Sequence, residues 1–490
     1  MGFPCVCLPS RGVSHNSRTR LGAAAAPHDV NLDLISGPPY RTILRLAMPT
    51  VIAMLSQSVV NEIDIFFFKH LPNPEDSNAQ AALLPSLLTV WLFGGSLSAI
   101  SVGTQALVAR RYAERKLEAA GAVLANAAFF SLVAGVLFAA LGGVTIHALL
   151  GMVVKVGTPV HDIAYSYSKW RLLGITSMAM TMALKAFFDG IGKTWVHLVS
   201  ALVMNVFNVL LCYTLIFGHF GAPKMGAPGA GFAAFVATWI GFFIMAFFGA
   251  RERTKFNPFR WSLISRKITW DILRLSIPAA AATVVMMVGF GLFTKVAGKL
   301  DSEDGKLIHE AVNGAATTDI VAILKLTFTA CIAFGTATAT LVAQSLAAKR
   351  PEDAARFGWA SVRLGLGLFG VVGICEGILF TPQIVDVITD SSPVAAAALL
   401  PMRMMGIITP IIAVAMILSE ALFGAGNTKF VAGAQFCLVF FVLVPLAWLL
   451  GIGLHLGLLG MWVAAVCYCI GAAIVMTLKF RAGSWKTIDL

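Results

Sequence analysis

Charged residues are scarce in this chain of 490 residues. Asp, Glu, Lys and Arg together make up 12% of it, about half of the roughly 25% that is typical of soluble domains. Hydrophobic residues make up 58%, and the mean hydropathy is +0.83. A soluble fold could not bury so much apolar surface, so the composition predicts a polytopic membrane protein.

The short alternating segments of a membrane β-barrel are also missing from the sequence. The apolar runs instead reach the length of about 20 residues that a helix needs to cross a bilayer. We therefore predict an all-α integral membrane protein with twelve transmembrane helices. The predicted spans are 43–68, 83–108, 119–143, 172–189, 197–217, 229–249, 273–297, 314–344, 356–380, 401–422, 430–451 and 458–478. The weaker segment 146–169 is expected to lie at the membrane surface.

Motifs of soluble enzymes are absent as well. The sequence has no HExxH pair, and the GIGKT run at 190–194 is not a phosphate-binding loop because position 187 is Phe187 rather than glycine. The eight cysteines lack the spacing of zinc or disulfide frameworks. We predict no enzymatic activity and no cofactor, and transport, if present, would be driven by an ion gradient rather than by ATP.

The net charge of +12 does not indicate a nucleic-acid partner, because the basic residues lie between apolar runs. They follow spans two, six and eight and the last span, which places both termini in the cytoplasm by the positive-inside rule. The first 40 residues lack the apolar segment of a cleaved signal peptide. The expected location is the cell (inner or plasma) membrane. An organellar membrane stays open because this segment has arginines and no acid before Asp29.

An internal repeat organises the sequence. Six spans in each half would relate the halves by an axis along the membrane normal, with a substrate site between two six-helix bundles. The predicted units are a disordered tail (1–40), a first bundle (41–250), a linker (251–271), a second bundle (272–480) and a tail (481–490). The repeated segments are LRLAMP (44–49) and LRLSIP (273–278), LVARRYAERK (107–116) and LVAQSLAAKR (341–350), RLLGIT (171–176) and RMMGII (403–408), and GIGKT (190–194) and GAGNT (424–428).

The first predicted span contains two acids, Glu62 and Asp64. Acids within a span are costly, by about 2.5 to 3.5 kcal/mol on insertion scales, and are functional candidates by default. Asp64 is the predicted ion-coupling carboxylate, and Glu62 is expected to lie in the headgroup layer. The predicted amide neighbours of Asp64 are Gln57, Asn61, Asn205 and Asn208.

Other ionisable residues within spans have less specific interpretations. Lys325 could contact a substrate or pair within the bundle, whereas Lys185 and Glu420 are expected to reach the cytoplasmic surface, because each lies close to a predicted loop.

Four segments occur in order: LRLAMPTVIAMLSQSVVNEID (44–64), SVGTQALVARRYAERK (101–116), ALKAFFDGIGKT (183–194) and NVLLCYTLIFGHFGAPKMGAPGAG (208–231). Together they resemble the MATE family, the multidrug and toxic compound extrusion antiporters, and more narrowly its NorM-type branch. The resemblance covers nearly all of 44–480 and is weaker, though in register, at EALFGAGNTK (420–429).

The resemblance implies two bundles around a V-shaped cavity and the export of organic cations or amphipathic compounds in exchange for Na+ or H+. It implies that Asp64 couples the ion, with Asn208 beside it. Cys212 and Met286 stand where the family has polar or acidic residues, so coupling through the first bundle is expected, with H+ favoured over Na+.

The sequence thus predicts a secondary antiporter that acts as a monomer in the lipid bilayer on a small-molecule substrate. The ion-coupling residues would be Asp64, Asn208, Gln57, Asn205 and Cys212, and the cavity would include Asn61, Met286 and Lys325. No metal site is expected apart from a possible Na+ at Asp64. The alternatives are a flippase for lipid-linked oligosaccharides and an exporter of an organic anion, which Lys325 would permit.

Overall fold

The computed structural model of the protein describes residues 33–71, 75–152, 154–258, 263–303, 306–307, 312–389 and 391–488. The first half contains α1 (Asp33–Ser36), α2 (Pro39–Lys69), α3 (Glu75–Ser98), α4 (Ile100–Ala113), α5 (Leu117–Gly151), α6 (Pro159–Leu173), α7 (Ile175–Gly190), α8 (Trp195–Phe217), α9 (Ala227–Arg251) and α10 (Arg253–Phe256). A short 3-10 turn, His219–Gly221, lies between α8 and α9.

The second half contains α11 (Arg266–Leu300), α12 (Val312–Ala347), α13 (Pro351–Ile374), α14 (Thr381–Ile388), α15 (Ser392–Gly424), α16 (Thr428–Leu438), α17 (Val444–Trp448) and α18 (Gly457–Ala482). The strands β1 (Ser302–Glu303) and β2 (Lys306–Leu307) form an antiparallel hairpin after α11. Single π-helical turns follow α13, α16 and α17, at Cys375–Leu379, Val439–Leu443 and Leu449–Gly453. A 3-10 turn, Ser484–Thr487, follows α18.

Eleven helical segments of the described chain are long and apolar enough to cross a membrane. Helices α6 and α7 meet that requirement only together, as a span bent by 42°, which makes the twelfth. The predicted all-α membrane fold with twelve spans is therefore confirmed. The segment 146–169, predicted to lie at the membrane surface, is divided between α5, which continues to Gly151, and α6, which forms a bent pair with α7. Its position relative to the membrane stays a prediction. Polar residues in α6 lowered its hydropathy.

The repeated segments adopt the same backbone turns. Gly192 and Gly426, in the GIGKT and GAGNT loops, have φ of 77° and 85°, and Arg115 and Lys349 have φ of 62° and 58°. Positive φ is uncommon for residues other than glycine. Because Arg115 and Lys349, two of the five non-glycine residues with positive φ in the described chain, occupy equivalent positions, the sequence repeat is also a structural repeat.

The two halves interlock where α4 ends and α11 begins, at an end of the molecule that we call the basic end. The first turns of α2, with Ile43 and Leu46, belong to a buried cluster built mainly from second-half helices. The first turns of α11, with Ile272 and Leu275, belong to a cluster of the first half. The predicted unit boundaries remain predictions, and residues 1–32 lie outside the described residues.

Reciprocal hydrogen bonds also join the halves at the basic end. Arg110 Nη2 in α4 donates to the carbonyl oxygen of Ala425 over 3.0 Å. Gln344 Nε2 in α12 donates to the carbonyl oxygen of Gly190 over 2.7 Å. Arg110 and Gln344 occupy equivalent positions of the repeat, so each half holds the loop of the other, at acceptors that differ by one position in the repeat.

Candidate ion-coupling site

Asp64 lies near the end of α2 that is distant from the basic end, and it is buried, with 6% of its surface exposed. The Tyr167 hydroxyl, from α6, donates to Asp64 Oδ2 over 3.1 Å. The Cys212 thiol, from α8, lies 3.6 Å from Asp64 Oδ1. Helices α2, α6 and α8 therefore converge on one carboxylate, and both of its oxygens face a donor.

Arg171 lies one helical turn after Tyr167 and extends this group. Its Nη1 donates to the Tyr167 hydroxyl oxygen over 3.3 Å, and the guanidinium lies 5.7 Å from the centre of the tyrosine ring. Arg171 and Asp64 interact electrostatically. The group Asp64, Tyr167 and Arg171 is therefore neutral while Asp64 is ionised and carries one positive charge when Asp64 is protonated.

Tight packing surrounds this group. Tyr167 and Cys212 are each 1% exposed, and Phe68 meets the Tyr167 ring edge to face. A Cβ at Gly231, in α9, would lie 2.5 Å from the carbonyl oxygen of Tyr167, so only glycine lets α9 approach α6 so closely. In such a setting an uncompensated charge is costly, and the protein compensates Asp64 with Arg171.

The structure places the other predicted ion-coupling residues at different distances from Asp64. Cys212 contacts it directly, and Asn208 joins through Cys212, whose Sγ lies 3.1 Å from Asn208 Oδ1. Asn205 contacts α2 two helical turns before Asp64, where its side-chain amide donates to Ser56 Oγ over 2.9 Å. Gln57 is half-buried, and the hydrogen bonds among described side chains do not include it. The predicted cluster is thus only partly assembled.

The grouping of Asn61, Met286 and Lys325 in a substrate cavity stays a prediction. Met286, in α11, lies 3.3 Å from the Tyr468 hydroxyl, far along the chain in α18. Lys325 is an exposed residue of α12. The side chains of Asn61 and Glu62 are not among those the structure describes.

Two expectations about charged residues near the basic end need correction. Lys185 does not extend to the surface: it is buried and its Nζ lies 2.6 Å from Asp189 Oδ2. Glu420 is half-buried and lines a small cavity between the halves together with Gln105. Both side chains face the junction of the halves, which the sequence of either half alone does not reveal.

Sequence reasoning missed Tyr167 and Arg171. The segment RLLGIT (171–176) served only as a marker of the repeat, and its partner RMMGII places Arg403 at the equivalent position. An arginine directly before an apolar run in both halves was the available signal, since charges within spans are functional candidates. It was overlooked because Tyr167 and Arg171 preceded the predicted start of span four.

A multinuclear or cysteine-rich metal centre has no support in the described part of the chain, which contains no group of three or more His, Cys, Asp or Glu residues able to hold a metal ion. The Asp64 group presents one buried carboxylate with a hydroxyl and a thiol facing its oxygens.

Comparison with known proteins places these features in a family. The MatE family model matches residues 49–214 and 278–449, one segment in each half. The chain is 24% identical over 454 residues to the "Probable multidrug resistance protein NorM" of Thermotoga maritima, covering 91% of this chain and 93% of that protein. It is 25% identical over 361 residues to the multidrug resistance protein PmpM of Pseudomonas aeruginosa, covering 73% and 72%.

Solved structures share the fold. A multidrug resistance MATE family transporter of the MOP superfamily in an outward-facing conformation superposes with a TM-score of 0.79 at 20% identity, covering 92% of this chain and 97% of that one. A MOP superfamily transporter from Pyrococcus furiosus superposes with a TM-score of 0.82 at 20% identity, covering 93% and 98%. With the family model matched in both halves, the chain belongs to the MATE family of membrane transporters and is NorM-like within it.

Proposed function

We propose that this protein is a secondary antiporter that exports small amphipathic or cationic organic solutes in exchange for protons, with Asp64 as the coupling carboxylate. The observation that carries the proposal is the buried contact of Asp64 with the Tyr167 hydroxyl at 3.1 Å and with the thiol of Cys212 at 3.6 Å, beside Arg171. Acids at such positions in spans mark ion and proton pathways.

The neighbours of Asp64 support a proton rather than Na+ as the coupling ion. Hard cations such as Na+ are bound by carboxylate, carbonyl and water oxygens. The contacts described at Asp64 are a hydroxyl that donates, a thiol, and a guanidinium within electrostatic range. A proton requires only one carboxylate oxygen, whereas a sodium ion would have to bind close to the positive charge of Arg171.

The same charges give an exchange mechanism. When Asp64 takes up a proton, the positive charge of Arg171 is no longer compensated, and a cationic solute in the cavity is repelled. When Asp64 releases its proton, the group becomes neutral and the cavity admits the solute again. Proton loading and solute binding then exclude each other, which is the requirement for antiport.

The names of the NorM and PmpM relatives support a drug exporter over the flippase alternative. Under this proposal the substrate site lies between the halves, and the protein acts as a monomer in the cell (inner or plasma) membrane. The basic end faces the cytoplasm, in agreement with the positive-inside rule. Because the halves contact each other at that end, the proposed cavity would be closed on the cytoplasmic side in this conformation.

The test is efflux from proteoliposomes that contain the purified full chain and a fluorescent organic cation, with imposed pH or Na+ gradients. A pH gradient should drive efflux by the wild type, and Asp64→Asn should reduce it to the level of empty liposomes. The matched control is Asp386→Asn, which removes an exposed carboxylate in α14 and should leave efflux unchanged.

Thermal unfolding in detergent checks that Asp64→Asn is folded. Efflux that persists in a folded Asp64→Asn protein would contradict the coupling role. Efflux driven by a Na+ gradient alone would identify Na+, rather than the proton, as the coupling ion.

A further inference from the structure

A groove opens at the junction between the halves, at the basic end, between α5 and the start of α11. Its volume is about 850 Å³. One wall comes from α5, with Phe129 and Val133, and the other from Ile264 and the start of α11, with Arg266, Lys267 and Trp270.

Asn126 fixes the two walls relative to each other. Its side-chain amide donates to the carbonyl oxygen of Leu263 over 2.8 Å. Its Oδ1 accepts from the Ser265 backbone N–H over 2.7 Å and from the Thr269 hydroxyl over 3.1 Å. The start of α11 is therefore held level with Asn126 of α5, and the groove is part of the ordered structure.

The side chains that line the groove change from charged to apolar along its length. Arg266 and Lys267 form its exposed rim at the basic end, and the α5 side chains Phe129 and Val133 lie one and two turns deeper than Asn126. Trp270 is 61% exposed and lies one turn beyond the basic pair, where amphipathic rings are enriched at membrane interfaces. The groove is thus cationic toward the headgroup layer and apolar toward the hydrocarbon.

The first turn of α11 adds a second source of positive potential. The side chain of Ser265 does not cap the amides of that turn, and the turn contains no acidic residue. Uncapped amides at a helix start attract phosphate groups. The nearest acid along the chain, Asp271, lies one turn beyond Lys267 and is half-buried, and Arg274 follows it, so the rim keeps a net positive charge.

We propose that this groove binds one anionic phospholipid, whose phosphate contacts Arg266, Lys267 and the first amides of α11 while its acyl chains lie along Phe129 and Val133. The charge of the rim selects the anionic headgroup, and the apolar walls select a lipid over a soluble phosphate ester. Basic pockets between transmembrane helices bind anionic headgroups in this way.

Native mass spectrometry of the full chain in detergent tests the site, with phosphatidylglycerol and phosphatidylcholine titrated against each other. The wild type should retain phosphatidylglycerol preferentially. The double variant Arg266→Gln/Lys267→Gln should lose about tenfold or more of that preference, because each surface cation contributes about 1 kcal/mol to binding an anionic membrane lipid.

The matched control is Arg356→Gln/Arg481→Gln, which removes two exposed basic residues of other helices and should keep the preference. Three outcomes would overturn the proposal. They are an unchanged preference in Arg266→Gln/Lys267→Gln, an equal loss in the control, and displacement of the lipid by equimolar glycerol phosphate, which would identify a soluble anion as the ligand. The altered residues are exposed, and size-exclusion chromatography verifies that both variants are folded.

Discussion

The two halves share a fold but differ in charge at one pair of buried equivalent positions, Asp64 and Phe293. In the first half, Asp64 lies among Tyr167, Cys212 and Arg171. In the second half, the repeat places Phe293 at that position, where it is 1% exposed and meets Trp462 edge to face at 5.2 Å.

At a second pair of equivalent positions the first half again has a polar residue and the second half an apolar one. Met286 stands where the first half has Gln57, and its nearest polar partner is the Tyr468 hydroxyl, which also donates to Gln435 Oε1 over 2.8 Å. The described polar contacts here are uncharged. The equivalent position of the second half is thus filled without a carboxylate, which agrees with the coupling role proposed for Asp64.

The largest expected effect comes from introducing the charge of the first half into the second. Phe293→Asp places a carboxylate in a buried apolar cluster that has no cation for it among the described contacts, which should cost several kcal/mol and prevent folding. Phe293→Leu, which changes shape but not charge, should cost less than about 1.5 kcal/mol. Expression level and thermal unfolding in detergent measure both. If the Phe293→Asp protein were as stable as the wild type, the second half would accommodate a buried charge at this position as the first half does, contrary to our account.

The next largest effect is expected from substitution of the equivalent arginines, Arg171 in the first half and Arg403 in the second. Arg171→Gln removes the cation beside Asp64, and an opposite charge favours the ionised carboxylate. We expect proton-driven efflux to fall at least about tenfold, equivalent to about 1.4 kcal/mol, and its pH profile to move to higher pH. Arg403→Gln removes an exposed arginine at the equivalent position and should change neither. Equal effects of the two substitutions would show that Arg171 has no special relation to Asp64.

A smaller effect separates the two buried tyrosines. Tyr468→Phe removes the hydrogen bond to Gln435 and should lower the free energy of unfolding by about 1 kcal/mol without changing efflux. Tyr167→Phe removes the donor to Asp64 Oδ2 and should lower proton-driven efflux as well. Efflux and thermal unfolding should be measured on both variants. If Tyr468→Phe impairs transport as strongly as Tyr167→Phe, the hydroxyl of Tyr167 has no special role in transport.

The smallest effect concerns the loop after α4, where Glu114 has Ala348 as its counterpart. Burial tends to raise the pKa of Glu114, but hydrogen bonds from Lys116 at 2.9 Å and Arg111 at 3.1 Å outweigh it, and the pKa is lowered from 4.5. A lowered pKa stabilises the fold above the unfolded value, and this stabilisation is lost as the pH falls through the folded value.

The ion pairs of Glu114 with Arg111 and Lys116 contribute less than about 1 kcal/mol to the free energy of unfolding, because surface ion pairs are weak. Glu114→Gln should therefore lower the unfolding temperature slightly at pH 7 and by less near the lowered pKa. A difference that stays constant between neutral and acid pH would contradict this account.

Most of the fold was predictable from the sequence. Apolar run length and the repeated segments around Pro49 and Pro278 gave the spans and the duplication, because hydrocarbon thickness fixes the length of a helix that spans it. Span four was misplaced because α6 carries Tyr167 and Arg171, and a hydropathy pattern counts polar residues against a span regardless of what they contact.

The candidate site was predicted less completely. The sequence identified Asp64 from the cost of an acid in a span, Asn208 as an amide within an apolar helix, and Cys212 from a family resemblance. It did not identify Tyr167 or Arg171 as partners, and it assigned Lys185 to the surface although this lysine pairs with Asp189.

The sequence by itself therefore determined the membrane class, the helical spans, the duplication and the position of one carboxylate, since these follow from composition and periodicity along the chain. Only the tertiary structure decided which side chains compensate that carboxylate. Tyr167 lies 103 residues and Cys212 148 residues from Asp64, and the close approach of their helices depends on packing, such as that of Gly231 against α6, which a linear pattern does not contain.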